Sequence, residues 1–293
     1  MRVGTTFPRD GLNNDAVAMR DFAQAAESLG YDYISSGDHV IGRAGLEDSA
    51  RPVIDPFVLL SHLAAITSKI CLVAGIMVLP QRQTVLVAKQ AASLDVVSGG
   101  RLQLNLAVGW NDLEYRALNE DFHNRGERME EQVHVLRALW CNEAVDFHGK
   151  YHDIDHAGIN PLPAQRPIPI WMAGYVGPAL RRVARLGDGW VPQTTPRGAP
   201  DAEERTMAQS IALLKRYVGE AGRDAARFPI VGMIGAVGSS PDRWRKAVQE
   251  WLDLGATEVN AGTSRDPMSL KEHLEALRQF AESDVMTELK EQT

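Results

Sequence analysis

Eight short apolar runs alternate with eight longer segments of helical periodicity, and this alternation constrains the fold of the chain more than any other feature. Short apolar runs between turn residues are typical of buried strands, whereas apolar residues repeated at helical spacing indicate amphipathic helices. The predicted strands cover residues 3–7, 33–35, 70–79, 102–108, 168–173, a run that starts at 190, 228–237 and 258–261. The predicted helices cover residues 15–29, 56–67, 85–97, 125–140, a segment that opens at 178, 201–219, 241–254 and 269–282.

Strands separated by helices lie parallel, and their crossovers are right-handed, so eight such units close most simply into a single (β/α)8 TIM barrel. An open, doubly wound sheet is the alternative, but that fold does not require eight strand–helix units. No linker or low-complexity stretch divides the chain, which predicts one domain over residues 1–293. Residues 145–167 break the alternation and predict a hairpin insertion before the fifth strand, with its turn at His148-Gly149-Lys150.

Composition and charge narrow the partners of the chain. A hydrophobic share of 44% and a charged share of 24% are typical of a globular protein with a sizeable core. The net charge is −7 and the basic runs are short, which argues against nucleic acid as a partner. No run approaches the roughly 20 apolar residues of a membrane span, and Met1 leads directly into a strand. Cys71 and Cys141 lack motif spacing and are expected to be reduced packing residues, which favours a cytoplasmic location.

The glycine-containing segment after the fifth predicted strand has the character of an anion site. Gly174-Tyr175-Val176-Gly177 forms the turn, and Pro178 stands where the first helical position is expected, a position that proline favours. A strand, a glycine turn and a free helix N-terminus present N–H groups and the positive end of the helix dipole to a phosphate. A plain strand–helix connection, with glycines for tight packing, is the alternative.

Reactive groups of a barrel gather at the carboxyl ends of its strands. Asp38 and His39 follow the second strand and form the best acid–base candidate, because histidine titrates near neutrality and exchanges protons with bound substrates. A structural, hydrogen-bonded histidine is the alternative. Asn111 follows the fourth strand and offers an amide to the edge of a heterocycle, or else caps a helix. Gly75 interrupts the third strand, which predicts a bulge or a ligand lying against the backbone.

Two other kinds of chemistry are disfavoured by the residues. No serine or cysteine stands in an elbow motif, so acyl transfer is not expected. Three histidines and two aspartates crowd the insertion and could suggest zinc: His148, His152, Asp153, Asp155 and His156. Side chains alternate faces along a hairpin, however, so His152 and Asp153 point apart, and no metal-binding spacing is present. The prediction is solvated hairpin residues and no metal site.

Four segments together resemble the bacterial luciferase-like flavin monooxygenase superfamily, and most of all its branch that uses the deazaflavin coenzyme F420. They are SGDHV (36–40), VAKQAASLDVVSGGRLQLNLAVGWN (87–111), FHNRGERMEEQ (122–132) and RRVARLGDGWVP (181–192). The resemblance implies a barrel with a hairpin insertion, and an oxidoreductase that moves a hydride between F420 and a small organic substrate. The alternative within the superfamily is an FMN-dependent monooxygenase that receives reduced flavin from a separate reductase.

The resemblance also implies roles for particular residues. Asp38 and His39 would lie at the reactive face of the cofactor, with His39 positioning or protonating the substrate. The bulge at Gly75-Ile76, which holds a non-prolyl cis peptide in many members, would lie behind the ring. The remaining contacts would be a hydrogen bond from Asn111 to the ring, phosphate binding by the loop of Gly174, Tyr175, Val176 and Gly177, and a hydroxyl from Thr194 or Thr195.

The chain differs from one group of enzymes in this superfamily at a catalytic position. Deazaflavin-dependent sugar-phosphate dehydrogenases carry a catalytic glutamate in the loop after strand four, where this chain has Trp110 and Asn111. Sugar phosphates are therefore disfavoured, and Trp110, Met77 and Tyr175 predict a more apolar substrate pocket. The family also implies a homodimer. A cofactor-storage protein and a metal-dependent barrel hydrolase are the two remaining function classes.

Overall fold

The computed structural model describes residues 1–12, 14–42, 53–192, 205–263 and 268–292. Eight parallel strands form its central sheet, and two antiparallel strands form a separate hairpin. The sheet contains β1 (Arg2–Thr6), β2 (Tyr33–Ser35), β3 (Cys71–Val78), β4 (Leu102–Ala107), β7 (Ile170–Ala173), β8 (Gly189–Val191), β9 (Val231–Gly235) and β10 (Glu258–Gly262). The hairpin contains β5 (Val145–His148) and β6 (Asp153–Ala157).

The sheet closes into a barrel. Its strand order is β8-β7-β4-β3-β2-β1-β10-β9, and all neighbouring pairs run parallel. A parallel bridge between Trp190 in β8 and Ile230, the residue before β9, joins the two edges of this order. The predicted TIM barrel with a hairpin inserted before its fifth strand is therefore confirmed.

Helices surround the barrel between the strands. They are α1 (Ala16–Ser28), α2 (Pro56–Ile66), α3 (Thr84–Ser98), α4 (Asp112–Ala117), α5 (Arg125–Cys141), α6 (Gly177–Leu186), α7 (Met207–Glu220), α8 (Pro241–Asp253), α9 (Leu270–Ala281) and α10 (Asp284–Glu291). The sequence did not predict the short α4 or the terminal α10. Part of the predicted helix over residues 201–219 lies outside the described residues. No helix in the described ranges is long and apolar enough to cross a membrane.

Local sequence accounts for where many of these helices begin. The side chains of Asp15, Asp55 and Ser240 accept hydrogen bonds from N–H groups in the first turns of α1, α2 and α8. Thr206 and Ser269 form capping boxes with the third residues of α7 and α9. Each cap satisfies N–H groups that have no partner inside the helix, so the boundaries follow from residue type.

The core fills the barrel and the layer between barrel and helices. Trp140 and Trp190 are among its largest fully buried side chains, and each indole N–H donates to a backbone oxygen, of Ala88 and Gly174 respectively. Cys71 and Cys141 are free thiols. Cys71 is half-buried, but Cys141 is exposed because it is the last residue of α5, so its predicted packing role is wrong.

The second arm of the hairpin begins at Asp153, two residues later than predicted. The backbone N–H groups of Lys150 and Tyr151 both donate to the carboxylate of Glu131 on α5, at 2.8 Å each. The turn is closed by a bond from Gly149 N to the carbonyl oxygen of His152. Tertiary contacts with α5 therefore hold in the turn residues that the sequence pattern assigned to the second strand of the hairpin.

Candidate active site at the carboxyl ends of the strands

The predicted site segments follow four neighbouring strands of the barrel. β2, β3, β4 and β7 are adjacent and parallel, so their carboxyl ends meet at one mouth. His39 follows β2, the Gly75-Ile76 pair lies within β3, Trp110 follows β4, and the loop of residues 174–177 follows β7. Thr194 and Thr195 lie outside the described residues.

His39 is paired with Glu114 rather than with its neighbour Asp38. Nδ1 of His39 lies 3.0 Å from Oε1 of Glu114, whose side chain is only 1% exposed. Burial would raise the pKa of Glu114, but hydrogen bonds from His39 and Gln81 lower it below its usual value. The group is therefore an ionised carboxylate in the floor of the site. The sequence pattern did not indicate Glu114, because it did not predict α4.

The rest of the His39 ring faces the mouth. The side chain is 40% exposed, and within the described ranges Nε2 has no hydrogen-bond partner. The ring of Trp110 meets it edge-on, with 6.4 Å between centroids, and is itself 50% exposed. An imidazole nitrogen open to the mouth is placed to exchange a proton with a bound molecule.

Asp38 is hydrogen-bonded to groups other than His39. Its buried carboxylate accepts hydrogen bonds from the backbone N–H of Val78, at 3.0 Å, and from Nη2 of Arg82, at 2.7 Å. Arg82 also pairs with Asp55 at the start of α2. Burial disfavours the charge of Arg82, but the neighbouring Asp38 raises its pKa. Asp38 thus anchors the end of β3, and its carboxylate does not form the predicted acid–base pair with His39.

The predicted bulge in β3 is confirmed. Gly75-Ile76 is a cis peptide, and the register with β4 shifts between Gly75 and Met77. A Cβ on Gly75 would lie 2.6 Å from Cβ of Asn105, so only glycine allows this close approach. Oδ1 of Asn105 accepts from Nε2 of Gln103 at 2.9 Å. Among the described residues, Nδ2 of Asn105 donates to no other group, so an amide donor that the sequence pattern did not indicate lies beside the bulge.

Asn111 caps a helix. Its Oδ1 accepts from the backbone N–H of Leu113 at 3.2 Å, at the N-terminus of α4. The structure therefore shows the cap that the sequence left open as the alternative, while contact with a cofactor ring stays a prediction. This cap sets where α4 begins, and Glu114 lies in its first turn.

The loop after β7 leaves a helix N-terminus without a side-chain cap. Val176 occupies the cap position of α6 and makes no side-chain capping bond, so its first N–H groups are available to a ligand. Gly174 is required by close packing, because its Cβ would lie 2.5 Å from Cβ of Ala179. The buried hydroxyl of Tyr175 finds no partner within the described part of the chain. Pro178 is the second helical residue rather than the first, because α6 begins at Gly177.

This donor set fits a planar cofactor that carries a phosphate. Backbone N–H groups at the start of α6 suit the phosphate, and the glycine at the bulge leaves room for a ring against the backbone. The open nitrogen of His39 lies at the same mouth. A phosphate, a flat ring and a group that exchanges a proton would each find a matching element here: the start of α6, the glycine at the bulge and His39.

The histidines of the hairpin form ion pairs. His148 lies between two carboxylates, with Nδ1 2.6 Å from Asp153 and Nε2 3.7 Å from Asp155, and all three side chains are exposed. The hydrogen bond with Asp153 raises the pKa of His148. His152 points the other way, to Glu131 and Thr84, as the alternation of a hairpin predicts. The ligand atoms of His148, Asp153 and Asp155 lie within 4.8 Å of one another and could hold a metal ion, so the predicted absence of a metal site stays a prediction.

Comparisons with known proteins agree with this architecture. Pyrimidine monooxygenase RutA from Allorhizobium ampelinum is 30% identical over 235 residues, which cover 78% of this chain and 61% of that protein. The crystal structure of monooxygenase RslO1 from Streptomyces bottropensis matches with a TM-score of 0.82 at 20% identity, covering 98% of this chain and 100% of that one. An F420-dependent secondary alcohol dehydrogenase, solved with an F420–acetone adduct, matches with a TM-score of 0.77 at 16% identity, covering 96% and 97%.

The two solved structures show the same fold, and the resemblance to the luciferase-like superfamily inferred from the sequence motifs is confirmed by a direct family match. The sequence profile of the luciferase-like monooxygenase family matches residues 3–288, from the first strand of the barrel to its last helix. That span includes His39, the β3 bulge and the loop before α6. The match to this family identifies the protein as an oxidoreductase. The chain belongs to the luciferase-like monooxygenase family.

Proposed function

We propose that the protein transfers a hydride between coenzyme F420 and a small organic substrate, with His39 exchanging the accompanying proton. The observation that carries this proposal is the open Nε2 of His39 at the mouth, backed by the ionised carboxylate of Glu114. Removal of a hydride from a carbon that bears an O–H or N–H group also requires a proton acceptor, and a positioned imidazole meets that need.

The deazaflavin supplies the hydride chemistry when it is bound, and the protein supplies binding and orientation. The loop of Gly174, Tyr175, Val176 and Gly177 would hold its phosphate through backbone N–H groups. The backbone at Gly75 and Ile76 would support its ring, with the free amide donor of Asn105 beside it. These residues would place the reactive edge of the ring near His39 at the mouth.

The mouth favours an apolar substrate. Trp110, Val40 and Ile41 are among the large hydrophobic side chains that are exposed in the described part of the chain. Val40 and Ile41 are the two residues that follow His39 in sequence, and the ring of Trp110 lies edge-on to the His39 ring. A solved relative at the same fold is an F420-dependent secondary alcohol dehydrogenase, which supports a small alcohol or ketone as the first substrates to test.

The test is a titration of the apo protein with F420 and, separately, with FMN, followed by cofactor fluorescence. We expect micromolar binding of F420, and hydride transfer that persists without oxygen. His39→Gln should retain cofactor binding and lower kcat by roughly 100-fold or more. Failure to bind F420, or full activity of His39→Gln, would overturn the proposal.

A flavin-dependent monooxygenase is the second candidate, favoured by the 30% identity to pyrimidine monooxygenase RutA. In this case the same loop and bulge would hold FMN, and a separate reductase would supply the reduced flavin. The two candidates differ in oxygen. Preferential FMN binding together with substrate-dependent oxygen uptake in the presence of a flavin reductase would establish the second candidate.

We also propose that the protein forms a homodimer through α2 and α3. Most of the large exposed hydrophobic side chains of the described ranges lie on these two helices: Val58, Val85, Leu86, Val96 and Val97. Helix α2 contains no Asp, Glu, Lys or Arg, which is unusual for a helix facing water. Sedimentation should therefore give a dimer that Val58→Glu/Val97→Glu dissociates, whereas Val17→Glu, at an exposed position on α1, should not.

A further inference from the structure

Three donors converge on the carboxylate of Glu114. Oε1 lies 3.0 Å from Nδ1 of His39 and accepts from the backbone N–H of Val40 at 3.1 Å. Oε2 accepts from Nε2 of Gln81 at 3.1 Å. Gln81 belongs to the short 3₁₀ turn that follows β3, so this one buried group links the loop after β2, the end of β3 and α4.

The charge of Glu114 determines which nitrogen of His39 carries a proton. An ionised carboxylate offers only acceptor atoms, so the nitrogen that faces it must donate. Hydrogen bonds from His39 and Gln81 lower the pKa of Glu114 despite its burial, which keeps it ionised near neutral pH. Nδ1 of His39 is therefore protonated, and in the neutral ring Nε2 is left as the acceptor.

We propose that Glu114 is a positioning residue, which holds His39 with its proton on Nδ1 so that Nε2 faces the mouth as the proton-accepting atom. This inference rests on the proposed function of His39. Glu114 itself lies behind the ring and is almost fully buried, so it acts through His39 and not by contact with substrate.

The surroundings of His39 leave Glu114 as the group that sets its tautomer. Asp38, the neighbouring carboxylate, is engaged by Arg82 and by the N–H of Val78. Trp110 contacts the ring by its edge and carries no charge. Among the titratable side chains of the described ranges, Glu114 is the one within hydrogen-bonding distance of a His39 ring nitrogen.

The first test needs neither cofactor nor substrate. Long-range ¹H–¹⁵N correlation spectra of ¹⁵N-histidine-labelled protein report the protonation of each ring nitrogen, and His39→Gln identifies the signals of His39. In the wild type we expect Nδ1 protonated and Nε2 unprotonated for the neutral ring. A wild-type spectrum with the proton of the neutral His39 ring on Nε2 would overturn the inference.

Variants then separate positioning from a purely structural role. Glu114→Leu removes the acceptor at similar volume and should shift the neutral ring toward the Nε2–H tautomer, whereas Glu114→Asp should restore part of the Nδ1–H form. Asp112→Asn removes an exposed carboxylate from the same helix and should leave the signals unchanged. Unchanged His39 signals in Glu114→Leu would contradict the inference.

Kinetics of the cofactor-loaded enzyme give a second readout. Glu114→Leu should lower kcat by roughly 10- to 1000-fold with little change in KM, because the proton acceptor is lost but the binding site is kept. The double variant His39→Gln/Glu114→Leu should be no slower than His39→Gln alone, and an additive loss would contradict the inference. If the wild type binds neither cofactor, the proposed function fails, and the spectra still decide the tautomer.

Discussion

Gly75 allows β3 to approach β4 closely, because glycine carries no Cβ. The site of a Cβ lies 2.6 Å from Cβ of Asn105, which is attached directly to the backbone and cannot rotate away. Gly75→Ala should therefore force the bulge or β4 to shift and lower the free energy of unfolding by about 1–3 kcal/mol. Urea unfolding measures this loss.

The control for that substitution removes the obstacle. Gly75→Ala/Asn105→Gly has space for the new methyl group. Gly75→Ala should therefore cost less stability in the Asn105→Gly background than in the wild type. Equal losses in the two backgrounds would show that the contact with Asn105 is not the cause.

Arg82 is the residue on which the buried charge of Asp38 depends. Arg82→Met would remove two charge-assisted hydrogen bonds and leave the carboxylate with the N–H of Val78 as its remaining partner among the described residues. Because an unpaired buried charge is costly, we expect the free energy of unfolding to fall by about 3 kcal/mol or more.

Asp55 provides the matched comparison, since it pairs with the same guanidinium but is exposed. Asp55→Asn keeps the cap of α2 and should cost less than about 1 kcal/mol. Denaturant unfolding of both variants tests the ranking, and an equal loss in the two would refute it.

At the scale of elements, the start of α6 depends on one of its two glycines more than on the other. A Cβ on Gly174 would lie 2.5 Å from Cβ of Ala179, whereas one on Gly177 would meet Tyr217 Oη at an ordinary 3.7 Å. Gly174→Ala should therefore lower the Tm and weaken cofactor binding, because the turn that presents the N–H groups must move. Gly177→Ala should leave the Tm nearly unchanged, and a comparable drop in both would contradict this account.

Helix α4 shows how an element that is short and weakly patterned contributes to the site. It holds only residues Asp112–Ala117, too few for a recognisable apolar stripe, so the sequence pattern predicts no helix here. A cap at Asn111 is one of the two roles that the sequence allows for this residue, but only the structure shows that the capped helix brings Glu114 beneath His39.

At the scale of the whole molecule, His273 couples stability to pH. It is fully buried on α9, with Nδ1 3.0 Å from Thr263 Oγ1 and Nε2 3.6 Å from Asp10 Oδ1. Burial lowers its pKa below the ordinary value of 6.5, although Asp10 and, more weakly, Glu272 oppose the shift. The unfolded chain therefore binds the extra proton first as the pH falls.

Because folding lowers the pKa of His273, its contribution to the free energy of unfolding is present above the ordinary pKa of histidine and is lost as the pH falls below it. His273→Gln should remove this loss and flatten the acid side of the stability profile, measured by urea unfolding between about pH 5 and pH 8. His148→Gln is the control, because the pKa of this exposed histidine is raised by Asp153 and its small contribution has the opposite sign. An unchanged slope in His273→Gln would refute the assignment.

The sequence by itself determined the barrel, its hairpin insertion, the bulge at Gly75 and the glycine loop that opens α6. These features depend on local signals: apolar periodicity, proline and glycine positions, and caps, all of which act within a few residues. Only the tertiary structure decided which side chains meet. Asp38 joins Arg82, and His39 joins Glu114 across 75 residues of sequence, because strand register and the cap of α4 bring them together. Pairing between distant side chains leaves no periodic trace, so adjacency in sequence suggested Asp38 for His39 where the fold supplies Glu114.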